Sequence, residues 1–340
     1  MKRNVSEMTD SLLPWLLEPD TQNPGVRYST LRDLLGRPEG DPDVLDARRH
    51  IMASGTVPAI LDAQDPEGYW ARPGGGYAPS YTGTMWQVIF LAELGADPTD
   101  ERVLRGCEYL LSHSIASNGG FAMERRPLPS SVAHCLNGEP VHALLRLGFG
   151  QDPRVQGALD WLVQAATGEG DVRYYRSGTS GRVFACGYNQ RQPCAWGATK
   201  ALKALSVLPA DRRTPAMEWA IDVGVDFLLG RDLAKADYPY SGKVSPTWFS
   251  FGFPLSYRSD ILETAMVLAD LGYGNDPRLR NALQFILDKR DGHGRWTMEK
   301  SLNGKMWIDV EEKGKPSKWV TLRALRALGA GRAPDPGAAG

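Results

Sequence analysis

The 340-residue sequence predicts an all-α fold, a closed ring of about six helical hairpins described as an (α/α)6 toroid. The main observation is a recurring phrase: an apolar helix ending in Leu-Gly, a short turn with Asp and Pro, and a second, amphipathic helix. Self-similarity at a fixed spacing is typical of repeat architectures, in which each unit buries its apolar face against its neighbours. The predicted ends of the first helices are Gly36, Gly95, Gly148, Leu208, Gly272 and Gly329.

The turn chemistry explains why each phrase forms a hairpin. Glycine directly after an apolar helix suits a left-handed C-terminal cap. Asp-Pro before the next helix supplies an N-cap and a proline at the first turn, as in LGFGQDPRVQGALDWLV from Leu147. First-helix segments such as TMWQVIFLAELG and AWGATKALKALSVL are apolar on most faces. This pattern favours an inner ring wrapped by an outer ring over an open solenoid.

Composition limits the class of protein. The 39 Lys and Arg residues balance 40 Asp and Glu residues, so the basic footprint of nucleic-acid binding is absent. No window approaches the roughly 18 apolar residues of a membrane span, and four cysteines are too few for a disulfide scaffold. We expect a cytoplasmic monomer or homodimer with an N-terminal extension at 1–24, one toroid domain at 25–330 and a disordered tail at 331–340.

Loops rich in glycine and aromatic residues connect the hairpins. QDPEGYW, from Gln64 to Trp70, matches the Q-x-x-x-G-x-W motif of squalene-hopene cyclase repeats, and NGGF and DGHGRW keep its Gly-aromatic end. With the hairpin count, the chain resembles the terpenoid cyclase and protein prenyltransferase superfamily of α/α toroids. The resemblance implies a central cavity for a hydrophobic, isoprenoid-like small molecule.

The candidate site residues lie at one predicted rim of the ring. Inner helices of a toroid run parallel, so the partial positive charges of their N-termini add at that rim. Counting back from the helix ends places a set of reactive and aromatic residues there, with Glu263 about one turn deeper. The set includes Tyr81, His134, Cys135, Asn137, Cys194, Trp196, Asp260 and Trp319.

Asp260 is the candidate proton donor. Triterpene cyclases of the superfamily protonate their substrate through a D-x-D-D motif, which this sequence lacks. A lone carboxyl at the mouth of an apolar cavity has a raised pKa and can act as a general acid, with His134, Tyr81, Glu263 and Cys194 assisting. The prediction is an enzyme that cyclises, isomerises or dehydrates its substrate. The alternative is that Asp260 is simply a helix N-cap.

Three cysteines form a second candidate group. Cys135 and Cys194 begin successive inner helices, and Cys186 lies in the loop before the second. With His134 or a carboxylate they could bind Zn²⁺ and serve a transferase or lyase, although the zinc motif of protein prenyltransferases is not matched. Without metal, Cys186 and Cys194 would resemble in residue type the cysteine pair of linalool dehydratase-isomerase, another α/α toroid. Free cysteines also pack as small hydrophobic residues.

Aromatic side chains are the candidate substrate-binding residues, because rings that line a cavity stabilise cations. The predicted lining residues are Trp86, Trp196, Trp248, Tyr257 and Trp319, with Asn137 as a polar contact. The segment from Arg231 to Tyr257 could form a lid over the mouth. A non-catalytic toroid that binds a lipid or a partner protein is the remaining alternative, since an enzyme needs titratable groups or a metal inside its cavity.

Overall fold

The computed structural model describes residues 2–170, 172, 180–238 and 245–329, so the predicted tail at 331–340 lies outside the described residues. The helices are α1 Lys2–Leu17, α2 Pro24–Ser29, α3 Pro42–Ala53, α4 Thr56–Asp62, α5 Thr84–Leu94, α6 Glu101–His113, α7 His134–Arg146, α8 Pro153–Thr167, α9 Ala195–Ser206, α10 Pro215–Leu229, α11 Ile261–Asp270, α12 Arg280–Asp288 and α13 Lys318–Ala327. A π turn, Thr30–Leu34, extends α2. Two short antiparallel pairs join β1 Ala185–Cys186 to β2 Gln192–Pro193 and β3 Trp296–Thr297 to β4 Pro316–Ser317.

Six helices form the inner ring: α2, α5, α7, α9, α11 and α13. Each of α5, α7, α9, α11 and α13 packs against the next, and α13 contacts α2. Gly25 of α2 lies against the carbonyl of Leu94 on α5, which closes the ring. Helices α3, α6, α8, α10 and α12 return along the outside. The observed ring confirms the predicted all-α toroid.

The sixth outer position is filled by α1. This helix packs against α13 and α2, and its Leu12 and Leu16 are buried. The predicted domain boundary at residue 25 separates α1 from the ring in sequence. In space, however, α1 occupies the position of the outer helix that would pair with α13. None of the helices of the described chain is long and apolar enough to cross a membrane.

The predicted caps are present. Asp41, Asp100 and Asp152 precede outer helices, and the side chain of each accepts a hydrogen bond from the backbone N–H two residues later. The glycines at the ends of the inner helices have φ between 65° and 99°: Gly36, Gly95, Gly148, Gly272 and Gly329. The hairpin ends are therefore determined by local sequence.

The Gly-aromatic loops fasten each hairpin to the next inner helix. In three loops the aromatic residue donates its backbone N–H to a side-chain oxygen in the first turns of that helix. The pairs are Trp70 to Thr84 at 3.1 Å, Phe121 to Asn137 at 2.9 Å and Trp296 to Thr321 at 3.0 Å. The Gly-aromatic motif on which the family resemblance rests thus has a structural role. Asn137 takes part in that role as a hydrogen-bond acceptor.

Helices α7 and α9 make the closest contact of the inner ring. A Cβ atom at Gly138 would lie 2.3 Å from the carbonyl oxygen of Lys200, and one at Gly197 would lie 2.9 Å from Cβ of His134. The two glycines therefore allow the backbones to approach and bring Glu139 alongside Lys200.

We expect Gly138→Ala to destabilise the protein by about 1–3 kcal/mol, because overpacking outweighs the better helix propensity of alanine. Urea unfolding measures the difference. Gly157→Ala on α8 is the control: its Cβ would meet no atom within 4 Å, so the same substitution should stabilise by up to about 1 kcal/mol. Equal effects of both substitutions would contradict the close approach.

Candidate functional site

A cavity of about 470 Å³ opens at the rim where α7 and α9 begin and where the chain enters α11. Its walls are mainly aliphatic and aromatic, and Arg258 is the cationic side chain among the lining residues that the structure describes. Residues on both described parts of the proposed lid segment also line it, namely Ala236, Tyr238, Ser245 and Trp248. The aromatic lining residues are Tyr77, Tyr188, Trp196, Tyr238, Trp248 and Tyr257.

Three thiols lie in the wall of this cavity: Cys135, Cys186 and Cys194. Cys186 ends β1, and Cys194 follows β2 and donates its backbone N–H to the Phe184 carbonyl at 3.0 Å. This hairpin holds the two side chains close enough to share a hydrogen bond.

The shared hydrogen bond separates the two thiols electrostatically. It lowers the pKa of Cys186 to about 7 and, together with burial, raises the pKa of Cys194 well above its usual value. Burial raises the pKa of Cys135 to about 12. Near pH 7 the Cys186 side chain is therefore partly ionised, while Cys194 stays a thiol.

Zinc binding by these cysteines stays a prediction. Among the described residues, the three potential ligand atoms that lie within 4.8 Å of one another belong to Glu93, Glu139 and His142, and the three thiols do not form such a group. Nζ of Lys203 lies 2.6 Å from Glu93 and 3.2 Å from Glu139, so an ammonium group already neutralises these carboxylates.

Three of the predicted aromatic residues, Trp196, Trp248 and Tyr257, line the thiol cavity. Tyr77 also lines the cavity, although the sequence did not predict it. Burial, together with the nearby Tyr257 and Tyr81, raises the pKa of Tyr77 to about 12. Tyr77 precedes α5 by seven residues, so counting back from helix ends did not reach it. The feature of the sequence that could have pointed to Tyr77 is that it is a second tyrosine in the loop that contains Tyr81.

His134 points away from the cavity. Its ring packs against Trp161 at 5.3 Å and Phe184 at 5.7 Å between the inner and outer rings. Its Nε2 lies 2.9 Å from the carbonyl oxygen of Gly181, and burial lowers its pKa to about 4. His134 is therefore a neutral core residue that does not contact the thiols through the cavity.

Tyr81 and Trp86 also lie behind the cavity wall. Their rings pack 5.0 Å apart, and the Trp86 indole donates to the carbonyl of Tyr77 at 2.7 Å. Neither side chain lines the cavity. They support Tyr77 from behind, which is a packing role.

The middle of the ring is filled by a central ionic cluster, which consists of Glu93, Glu139, Lys200, Lys203, Glu263 and Arg323. Lys203 contacts all three glutamates at 2.6–3.2 Å, and Lys200 contacts Glu139 and lies 2.8 Å from Glu263. Arg323 lies 3.5 Å from Glu263. Three carboxylates thus balance three cations, and Lys200 and Glu263 are completely buried.

The cluster decides the state of Glu263. Burial opposes ionisation, but the adjacent Lys200, Lys203 and Arg323 lower the pKa of this carboxyl to about 2. Glu263 is therefore ionised at neutral pH and does not line the thiol cavity.

A second, charged cavity of about 240 Å³ lies at the C-terminal ends of the inner helices. Trp319 lines it, stacked on Phe253 with ring centroids 4.1 Å apart. Arg326 bridges Asp33 and Asp270 in its wall. The two cavities share no lining residue. Glu93, Lys203 and Arg323 of the ionic cluster line this second cavity, and Trp319 lies in it and not in the cavity with the thiols.

Asp260 is the N-cap of α11. Its Oδ1 accepts the backbone N–H of Glu263 at 2.8 Å, and its Oδ2 lies 3.1 Å from Nζ of Lys300. The residue is buried and lines neither of the two cavities. This geometry fits the capping alternative, and the proton-donor role stays a prediction.

Comparison with known proteins supports the fold. No protein-family model and no curated protein matches the chain. A solved glycosyl hydrolase family 88 protein from Bacteroides vulgatus aligns over 96% of this chain and 98% of its own, with a TM-score of 0.51 and 13% identity. The chain is an α/α toroid. The type II terpene cyclase MstE from Scytonema covers 96% of this chain and 98% of its own, with a TM-score of 0.46 and 15% identity.

We expect Lys203→Met to destabilise the toroid by about 3–5 kcal/mol, because it leaves buried carboxylates without their counter-ion. Chemical unfolding measures the loss. Lys235→Met is the control, since Lys235 is exposed and its ion pair within the described residues is with Asp232 in the same loop; it should cost no more than about 1 kcal/mol. A small effect of Lys203→Met would show that the cluster does not hold the ring.

We expect Asp260→Asn to lower stability by about 1–3 kcal/mol, because asparagine keeps the N-cap but loses the charge that pairs with Lys300. Thermal unfolding and turnover are measured on the same samples. Unchanged stability with abolished turnover would instead assign Asp260 as the proton donor.

Proposed function

We propose that the protein is an enzyme that carries out an isomerisation or dehydration of an apolar small molecule, with Cys186 and Cys194 as the proton-transferring pair. The observation that carries the proposal is the placement of two neighbouring thiols, Cys186 and Cys194, in the wall of an aromatic-lined cavity. Such a pair supplies an acid and a base in neighbouring positions.

The protonation states fit proton transfer near neutral pH. General acid–base catalysis is most effective when the pKa of the group lies near the working pH, and the Cys186 pKa of about 7 meets that condition. In a dehydration, the Cys194 thiol would protonate the leaving hydroxyl while the Cys186 thiolate removes a proton from the adjacent carbon. Water and an alkene would leave, and proton exchange between the sulfurs would restore the pair.

The cavity supports an apolar substrate. Its volume of about 470 Å³ falls within the 300–1,000 Å³ range typical of small-molecule sites. The faces of Trp196, Trp248 and Tyr257 would stabilise positive charge that develops on a hydrocarbon skeleton. The isoprenoid class of substrate rests on the resemblance of the Gln64 to Trp70 loop to squalene-hopene cyclase repeats.

We expect Cys186→Ala and Cys194→Ala each to lower turnover of C10 to C20 isoprenoid alcohols by about 10²–10⁴-fold, the usual contribution of a general acid or base. Gas chromatography of the alkene and isomer products measures it. Cys107→Ala is the control, because Cys107 is buried on α6 and does not line the cavity; it should keep its turnover.

Alkylation tests the same pair without a substrate. Iodoacetamide labelling of Cys186, followed by mass spectrometry, should show a pH midpoint near 7, and Cys194→Ala should move it toward about 8.5, the value of a free thiol. Full turnover in both cysteine variants, or a midpoint above about 8.5 in the unmodified protein, would contradict the proposal.

A further inference from the structure

Arg258 occupies a distinct position in the thiol cavity. It is the cationic side chain among the lining residues that the structure describes. Its guanidinium carbon lies 5.8 Å from the centroid of the Trp196 ring and 5.7 Å from that of Tyr257. Both distances are within the range of cation–π attraction. The two rings therefore hold a positive charge at the edge of an apolar chamber.

No carboxylate in the described ranges lies within ion-pairing distance of Arg258. Other arginines of this protein are paired: Arg326 contacts Asp33 and Asp270, and Arg154 contacts Glu108. A guanidinium carries five N–H donors in a planar fork and accepts none. Arg258 is exposed, so its N–H donors face solvent at the edge of the cavity and are available to a ligand.

We propose that the natural ligand of this cavity is an amphipathic carboxylate, with its head group bound by Arg258 and its apolar body between the aromatic rings. The inference rests on the proposed function, since it names the substrate class of the same cavity. The bound carboxylate would fix the position of the hydrocarbon relative to Cys186 and Cys194, and such positioning accelerates a reaction on its own.

Charge favours a carboxylate over a diphosphate. One guanidinium neutralises one negative charge and matches the two oxygens of a carboxylate in a bidentate pair. A diphosphate carries more charge and is usually bound by several cations or by Mg²⁺ held on carboxylates. The described lining residues include neither a second cation nor a carboxylate. An unneutralised charge entering an apolar cavity is costly.

The test is calorimetric titration at pH 7.5 with dodecanoate, 1-dodecanol and dodecyl phosphate. We expect dodecanoate to bind the unmodified protein at least ten-fold more tightly than 1-dodecanol. Arg258→Gln should abolish this preference and leave 1-dodecanol binding unchanged. Arg212→Gln, which removes an exposed arginine outside the cavity, should retain the preference.

The same titration on Cys186→Ala separates binding from catalysis. Dodecanoate should bind this variant at least as tightly as it binds the unmodified protein, whatever happens to turnover, because the substitution removes an ionisable thiol from the cavity and leaves Arg258 in place. A failure of the thiol mechanism would therefore not contradict carboxylate binding by Arg258. Equal affinity for dodecanoate and 1-dodecanol, or an unchanged preference in Arg258→Gln, would contradict the proposal that Arg258 binds the carboxylate head group. Ten-fold tighter binding of dodecyl phosphate than of dodecanoate would overturn the carboxylate assignment.

Discussion

The rest of the toroid depends on the pairing of charges at its centre. Lys200 and Lys203, both on α9, pair with glutamates from α5, α7 and α11 in the largely buried centre of the ring, where the Glu93 side chain is 15% exposed. Buried charges are tolerated only when each is paired in good geometry. The requirement fixes the relative positions of four inner helices at once, and Gly138 allows the approach that brings two of them together.

The cluster also divides the chemistry of the interior. On one side lies an aromatic cavity with thiols, on the other a cavity walled by charged residues. Cationic neighbours lower the pKa of Glu263 and Glu93, so these two carboxylates do not titrate near neutral pH. Among the cavity thiols, Cys186 has its pKa lowered to about 7, first by the neighbouring Cys194 thiol and further by the backbone N–H groups of Tyr188 and Asn189.

The sequence was informative where the determining interactions are local. Glycine caps and Asp-Pro turns depend on residues that are close together in the sequence, so the hairpins and the toroid could be predicted. Depth along an inner helix could also be predicted, but side-chain direction could not. Each residue turns about 100° around the helix axis, which is why His134 faces α8 while the adjacent Cys135 faces the cavity. The ionic cluster joins residues from five helices and has no local signature.

The packing of α1 against α13 gives the ring a seam between the two ends of the described chain. Lys318 lies 3.2 Å from Asp20, a contact that spans 298 residues of sequence. Contacts of such high sequence separation form late in folding, because a long loop must close first. During synthesis the inner helices can assemble only as an open arc, and the ring is completed when α13 has left the ribosome. Until then the apolar face of α1 that α13 covers, with Leu12 and Leu16, is exposed, and exposed apolar surface in a partly folded chain promotes misassembly.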